Sequence, residues 1–403
     1  MRVLFITSAY PAHADDPRGT FIHVLARSLV REGLDVTVLA PGVPGAPKTE
    51  DRDGVHIRRA TYWIPRWQAL ATGMGGIMPN LRARPWLVLQ VPGLIAAQIW
   101  HASKLARTAD VIHAHWVYPS GVAGIVAARL NRKALVVTSH GGDLNLAHQH
   151  RLLGMIASWI ARRATVCIGV SQSIADRLVR IGVDPRRVEY LPMGVDVQPV
   201  DPASALALSP ELHTYANFAG LRVVYAGGLI PKKSVETLIR AQRQLNSAGW
   251  KVASLIVGAG PSMDALQKEA SITGTGLVLF VGGQRPELVP SFMSLAHVLV
   301  LPSLAEGRGL VLVEAMMLGL PTIASDIDGP RELVVDGVTG FLFPAGEASG
   351  LASCLERLLV SPSMGPILGL KARAAVAAAG LSVTASARRH VAMYDGLNPA
   401  GAF

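Results

Sequence analysis

The chain has 403 residues, half of them hydrophobic, 5% aromatic and 16% charged, with a net charge of +10. That length is more than one core usually supports, so two domains are expected, and the apolar, aromatic-poor composition suits an α/β enzyme with buried parallel sheets. Two isolated cysteines, Cys167 and Cys354, argue against a disulfide framework or a structural zinc and for a reducing cytoplasm, and no run reaches the roughly 18 apolar residues of a spanning helix.

The charge is uneven along the chain. Residues 1–200 carry 23 Lys and Arg against 13 Asp and Glu, whereas residues 201–403 carry 15 of each. The whole excess therefore lies in the first half. An anionic partner for that half is implied, whether nucleic acid, lipid headgroup or phosphorylated acceptor, with arginine-rich composition from genomic bias as the plainer account.

In chain order, Val3–Thr7 reads as a buried first strand rather than a signal peptide, because the apolar run is brief and ends at Tyr10-Pro11. The loop from Ser8 through Pro17-Arg18-Gly19-Thr20 precedes a helix at Phe21–Arg31. Gly19 and Thr20 would expose backbone N–H groups to a phosphate or an acceptor group there, or Thr20 simply caps the helix. No GxGxxG follows, which counts against a dinucleotide site. Further strands are expected at Val36–Ala40, His56–Arg59, Val111–His115, Leu135–Ser139, Val166–Val170 and Val188–Leu191, with helices at Val122–Leu130 and Ser173–Arg180.

Between them, residues 61–100 read as irregular. Tyr62, Trp63, Trp67, Trp86 and Trp100 interleave with Arg58, Arg59, Arg66, Arg82 and Arg84 around an apolar run, Leu87–Ile99, broken at Pro92-Gly93. Such a segment fits the interface of an anionic membrane, and it fits equally well a pair of core helices with basic outer faces. Nucleic-acid binding is not expected, because no binding motif accompanies the patch. His113 and His115 precede Trp116 and Tyr118 at one strand end, and His140 stands at the next. The three could mimic a metal site, but no carboxylate or cysteine has ligand spacing, so His115 and Trp116 are expected to line an acceptor side.

Pro-containing steps from Val197 to Ala219 interrupt the periodicity, and a second series begins. Its strands are Arg222–Ala226, Val252–Val257, Leu277–Val281, Val298–Leu301, Thr322–Ala324 and Gly340–Phe343. Its helices include Val235–Asn246, Met263–Ala270 and Leu310–Leu318. Strand–helix alternation twice over implies two doubly wound domains. Glycines close several strands, at Gly227-Gly228, Gly258–Gly260 and Gly282-Gly283, with Lys232, Lys233, Arg285 and Leu288 nearby.

The richest segment is Glu306-Gly-Arg-Gly309-Leu-Val-Leu-Val-Glu314. Glu314 is the polar residue of an otherwise apolar helix, and a buried carboxylate without partners is costly, so a ligand's hydroxyls are expected to meet it. The free N–H groups at Gly309, Leu310 and Val311 make an anion site. A phosphate cradle between two carboxylates is what a sugar nucleotide needs.

Glu306 and Glu314, with seven residues between them, resemble the E-x7-E signature of the family 4 glycosyltransferases, and Gly319–Asp326 and Gly329–Leu342 continue that family's segment. Thr138-Ser-His140-Gly-Gly-Asp143 is similar to the family's T-x-H-G-x-D. Gly227-Gly-Leu-Ile-Pro-Lys-Lys233-Ser234 resembles its G-R-L-x-x-x-K-G loop, with Gly228 in place of the arginine and Ser234 in place of the last glycine. Leu191–Asp196 resembles the N-G-V-D turn, with Met193 at the asparagine position, so Gly194 and Asp196 carry over as turn-shaping residues. The resemblance runs from residue 1 to about 395.

The resemblance implies a GT-B architecture, α/β with two doubly wound Rossmann-like domains facing a cleft. The acceptor-side domain would span 1–198, with a C-terminal helix at about 384–403 crossing back to it, and the nucleotide-sugar-binding domain 199–383. It implies a retaining, metal-independent, cofactor-free transferase that moves a sugar from a nucleotide-diphosphate donor to a hydroxyl. The acceptor would be a polysaccharide or lipid-linked glycan made at the cell surface. By this resemblance Glu306 and His140 position the sugar and Lys233 pairs with the diphosphate, assisted by Gly309, Leu310 and Val311. Glu314 holds the ribose, Gly228, Arg285 and Gly19 lie on the donor side, and Thr20, His115, Trp116 and Asp143 on the acceptor side, Asp143 either shaping its loop or meeting the acceptor. Lys232 or Arg308 is expected to replace the missing arginine. Two other readings stay open: an epimerase or hydrolase of sugar nucleotides on the same architecture, and a non-catalytic sugar-nucleotide sensor. The expected location is the cytoplasm, with peripheral contact at the inner face of the plasma membrane.

Overall fold

The computed structural model describes residues 1–13, 16, 18–72, 76–197 and 200–397. Pro17 of the first loop, residues 73–75 of the aromatic stretch, the Gln198-Pro199 step and the last residues, 398–403, lie outside the described residues. The chain divides into two units, Met1–Gly194 with the segment from Ser382 onward, and Val195–Leu381.

Unit 1 is built on eight strands: β1 (Arg2–Ile6), β2 (Asp35–Pro41), β3 (Thr49–Arg52), β4 (Val55–Ala60), β5 (Val111–His115), β6 (Ala134–Ser139), β7 (Val166–Gly169) and β8 (Val188–Tyr190). Their order in the sheet is β3-β4-β2-β1-β5-β6-β7-β8. All neighbours are parallel except β3 and β4, which form an antiparallel hairpin at the edge. The central strands β5 and β6 are buried along their whole length, as expected when helices cover both faces. β3 is absent from the expected elements because Thr-Glu-Asp-Arg has no apolar alternation. Such polar residues suit an exposed edge.

Residues 61–100 are more ordered than expected. Helices run over Ile77–Ala83 and Gln90–Leu105. Pro92-Gly93 does not break the second one, because Pro92 lies in its first turn, where a missing N–H costs no helical bond. The terminal helix Val383–Gly396 belongs to unit 1 and buries Val383, Ala387, His390 and Tyr394. Gly194 allows this packing, since a Cβ there would lie 2.3 Å from the carbonyl oxygen of Ser382.

Unit 2 contains β9 (Leu221–Ala226), β10 (Val252–Val257), β11 (Val278–Phe280), β12 (Val298–Leu301), β13 (Thr322–Ser325) and β14 (Gly340–Phe343), in the order β11-β10-β9-β12-β13-β14, all parallel. The stretch after Val197, read as a loose joint, holds two short helices, Pro202–Leu206 and Pro210–Ala216. In both, the proline that interrupts the periodicity occupies the first helical position, where its fixed φ favours a helix start.

In each sheet the chain first winds one way and then returns to the other side of its first strand. The reversal falls between β1 and β5 in unit 1 and between β9 and β12 in unit 2. Crevices at the carboxyl ends of such strand pairs are where open α/β sheets hold ligands.

Candidate functional site

At the unit 2 reversal, β9 leads into Gly227–Ser234 and β12 into Pro302–Gly309. Lys233 and Glu306, one from each loop, form an ion pair with both side chains mostly covered. Burial pushes the Glu306 carboxyl up, but the ammonium of Lys233 outweighs it, helped by Lys232 and the Gly307 amide, and holds the group below the usual carboxylate range. The buried Ser303 adds a hydroxyl 3.4 Å from Glu306 Oε2. The sequence alone did not point to Ser303.

The helix Leu310–Met317 starts at Gly309, which adopts φ 83° and whose Cβ would press on Leu301 and Leu312. Leu312 N–H reaches Gly309 O at 2.9 Å, and the amides of Gly309, Leu310 and Val311 have no acceptor among the described residues. Gly329 packs its Cα against Gly307 and Arg308, so the next loop braces this one. Glu314 makes no side-chain hydrogen bond or ion pair among the described residues, and burial raises its carboxyl to about 7.

The two departures in the β9 loop differ in consequence. Ser234 sits in the left-handed region at φ 47°, ψ 44°, the conformation that favours glycine, and its hydroxyl meets Thr237 Oγ1 at 2.9 Å and Glu236 at 3.2 Å. Gly228 has open space around its Cβ direction, and its carbonyl accepts from the buried Tyr225 hydroxyl at 3.0 Å. Of the two residues expected to replace that arginine, Arg308 is buried with its guanidinium 3.8 Å from Glu332, and Lys232 is exposed beside Lys233. Arg285 is exposed after the edge strand β11, two strands away from the reversal, with Leu288 partly buried beyond it.

At the unit 1 reversal the loops after β1, β5 and β6 meet. Gly19, at φ 65°, caps the helix Thr20–Arg31, so Thr20 is inside the helix rather than its cap. A Cβ on Gly19 would lie 2.4 Å from Ala9 O. Phe21, not singled out by sequence reasoning, packs 5.0 Å from the His140 ring and 6.0 Å from Trp116, and Trp116 lies 4.9 Å from His140. Trp116 holds φ 68°, unusual for a bulky residue and typical of constrained sites.

His115 departs from expectation. It is fully buried and lines no open surface, being stacked on His113 at 4.3 Å with Nδ1 3.2 Å from His140 Nε2. His113 bonds Tyr394 through Nδ1 and Thr138 through Nε2, both at 2.6 Å, and His390 stacks behind it. The histidines thus pair with one another and with hydroxyls, and among the described residues no group of three or more His, Cys, Asp and Glu has the arrangement to hold a metal. Burial depresses all four imidazoles, His140 to about 3 and His390 to about 4, so His140 is neutral at pH 7. With Nε2 engaged, His140 keeps Nδ1 for a ligand.

Asp143 takes the first of its two expected roles. Its carboxylate accepts from Val117 N at 2.8 Å, Ser139 Oγ at 2.7 Å and Leu144 N at 3.0 Å, which locks the loops after β5 and β6 together. It is fully buried, so it shapes the loop and does not meet an acceptor.

Comparison with known proteins agrees with this geometry. Residues 19–199 match the model "Glycosyltransferase Family 4" and residues 220–361 match "Glycosyl transferases group 1". The chain belongs to the family 4 glycosyltransferases. It is 28% identical to the 2-deoxystreptamine glucosyltransferase of Streptomyces kanamyceticus over 370 residues, 85% of this chain and 89% of that one. Among solved structures it resembles sucrose-phosphate synthase of Thermosynechococcus elongatus, with a TM-score of 0.78, 23% identity and coverage of 98% and 99%. It also resembles Anabaena HepE in complex with UDP-glucose, with a TM-score of 0.76, 21% identity and coverage of 98% and 100%. The two parallel-sheet α/β units of this glycosyltransferase are those of the GT-B fold.

Proposed function

We propose that this glycosyltransferase transfers a sugar with retention of anomeric configuration from a nucleotide diphosphate to a hydroxyl of a cell-surface polysaccharide or glycolipid, without a metal. One observation carries the reading: Lys233, Glu306, the open amides at Gly309–Val311 and the unpaired Glu314 converge at the unit 2 reversal. In this proposal the diphosphate sits on the amides and draws Lys233 to itself, which frees Glu306 to hold the sugar hydroxyls. Glu314 accepts from the ribose diol. On unit 1, neutral His140 keeps Nδ1 for a sugar hydroxyl, and Thr20 and Trp116 are given to the acceptor. Charge developing on the leaving diphosphate is met by one cation and a helix start, both already in place. That phosphate then takes the acceptor proton on the same face.

Nucleotide sugars screened by melting shift identify the donor, since a ligand of the native state raises the midpoint. The anomeric configuration of the product, read by NMR, is expected to equal that of the donor. An inverted product ends the retaining reading, and loss of turnover on chelation ends metal independence.

We also propose peripheral contact with an anionic membrane. Among the described residues no helix is long and apolar enough to cross a membrane. Trp63, Trp67, Trp86 and Trp100 are exposed rather than core, and Arg66 and Lys104 lie over Trp67 and Trp100. Leu152, Met155 and Trp159 form a second exposed apolar stripe on the helix Arg151–Ala161. Aromatic residues beside cations suit the headgroup level. Co-sedimentation with phosphatidylglycerol vesicles at low salt is expected, and absence of binding at every salt concentration removes the proposal.

A further inference from the structure

A carboxylate or a backbone carbonyl often decides which ring nitrogen of a histidine carries the hydrogen. Among the described residues His140 meets neither with its ring; its Nε2 faces Nδ1 of His115 at 3.2 Å. The carboxylate of the same loop, Asp143, is taken up by Val117, Ser139 and Leu144. The polarity of the contact is therefore set by the two imidazoles themselves.

Burial keeps both rings neutral near pH 7. Between two neutral rings one nitrogen donates and the other accepts. The remaining nitrogens break the tie. His115 lies between Phe5, edge-on at 4.6 Å, and His113, stacked at 4.3 Å. Its Nε2 is sealed from solvent and has no hydrogen-bond partner. A hydrogen placed there would be an orphan N–H, the rarer defect in folded proteins, whereas a bare nitrogen leaves only an acceptor unfilled. The hydrogen of His115 thus belongs on Nδ1, where it points at His140 Nε2. The hydrogen of His140 then belongs on its own Nδ1. That atom is not sealed as His115 Nε2 is, and the ring is half-buried beside Phe21 and Trp116.

We infer that His115 is a positioning residue: it donates to His140 Nε2, fixes that ring in its Nδ1–H form and makes His140 a hydrogen-bond donor toward an oxygen of the bound sugar. In this form Nδ1 has no lone pair to offer, so it takes no proton from an acceptor hydroxyl. The tautomer rests on unit 1 alone, and its use on a sugar rests on the transfer reaction proposed above.

The test uses the full chain isotope-labelled at its histidine nitrogens. Long-range nitrogen–proton correlation spectra report which nitrogen of each ring carries the hydrogen, and His140 is assigned by its loss in His140→Gln. Nδ1–H is expected for His140 in the parent and in His115→Asn, whose side-chain NH2 can replace the lost donor. His115→Leu removes that donor, and the two forms of His140 are expected to mix. A parent His140 carrying its hydrogen on Nε2, or a His140 unchanged in His115→Leu, overturns the inference. Kinetics read the consequence, with a nucleotide sugar that raises the melting point as substrate. KM for it is expected to rise about tenfold in His115→Leu with kcat per folded molecule held, the pattern of one lost ground-state hydrogen bond, and to return to within about twofold of the parent in His115→Asn. Equal KM in the parent and in His115→Leu overturns the positioning role. If no nucleotide sugar shifts the melting point, the donor reading fails, while the spectra still decide the tautomer.

Discussion

At the unit 1 reversal His113 engages both ring nitrogens with Tyr394 and Thr138, and Asp143 engages its carboxylate with two amides and a hydroxyl. At the unit 2 reversal Glu314 has no partner, and the amides from Gly309 to Val311 have no acceptor among the described residues. Two sheets of the same winding thus use their strand ends differently. The first closes its polar groups on one another and leaves a few, such as His140 Nδ1, facing outward. The second keeps a set of charges and donors whose complement is a ligand. Substitutions behind the first site should therefore act on stability, and those at the second on turnover.

The largest effect is expected from His113→Ala. It leaves the Tyr394 and Thr138 hydroxyls buried without their shared partner and opens a void beside Phe5. The two losses together should cost about 3–5 kcal/mol. Urea unfolding measures it, and turnover per folded molecule should hold. A fall in turnover with unchanged stability would break the comparison. Lys233→Ala is the counterpart. Removing a preorganised donor from developing charge typically lowers turnover about 10²–10³-fold. The urea midpoint should fall as well, because the mostly covered Glu306 loses the ammonium that holds it ionised, so turnover is compared per folded molecule. Equal turnover in the variant would remove Lys233 from the chemistry.

Much of this contrast was legible in the residues. Glu306, Glu314 and Gly309 stood out because a carboxylate inside an apolar helix and a glycine before it violate local rules, and such violations mark ligand sites. The parallel strands were legible as continuous apolar runs. His115 was misplaced because a histidine at a strand end reads the same whether it faces solvent or a stacked neighbour, and the stack it joins through His113 is anchored on Tyr394, from a helix some 280 positions later. Phe21 and Ser303 carried no signal, since a phenylalanine in an amphipathic helix and a serine after a strand are ordinary. The helices at Pro202 and Pro210 were lost because proline marks a helix start as readily as a break.

The pH response sharpens the same contrast with a smaller effect. His113, His115, His140 and His390 of unit 1 have folded values below the ordinary 6.5, so the native state holds them neutral while the unfolded chain takes up protons. Their stability is fully present above pH 6.5 and is lost as pH falls toward about 4, by up to about 1.4 kcal/mol per pH unit for each. Glu314 runs the other way. Its folded value, raised to about 7, lies above the unfolded one, so stability is lost as pH rises from about 4.5 to 7. Glu314→Gln should remove that loss and stabilise the protein at pH 8 by about 1–2 kcal/mol, discounted for the partial exposure of the group. It should also weaken donor binding. A variant no more stable at pH 8 than the parent would show that Glu314 is ionised at no cost in the free protein.

Ser234→Gly should have the smallest effect, and it separates two uses of one loop. A serine at φ 47° carries a conformational penalty of about 1–2 kcal/mol that glycine does not. Its hydroxyl recovers part of this through Thr237 and Glu236 at the start of the helix Val235–Ser247, a contact worth about 0.5–1.5 kcal/mol. The two nearly offset, and glycine should come out ahead by less than about 1 kcal/mol in urea unfolding. The informative measurement is donor affinity in the same variant. Lys233 immediately precedes this turn, and the left-handed turn, rather than the hydroxyl, sets where its ammonium can reach. Glycine adopts that turn without the hydroxyl, so affinity should be unchanged. If affinity falls while stability rises, the hydroxyl network positions Lys233, and the strand end of unit 2 is closed on itself in the manner of unit 1.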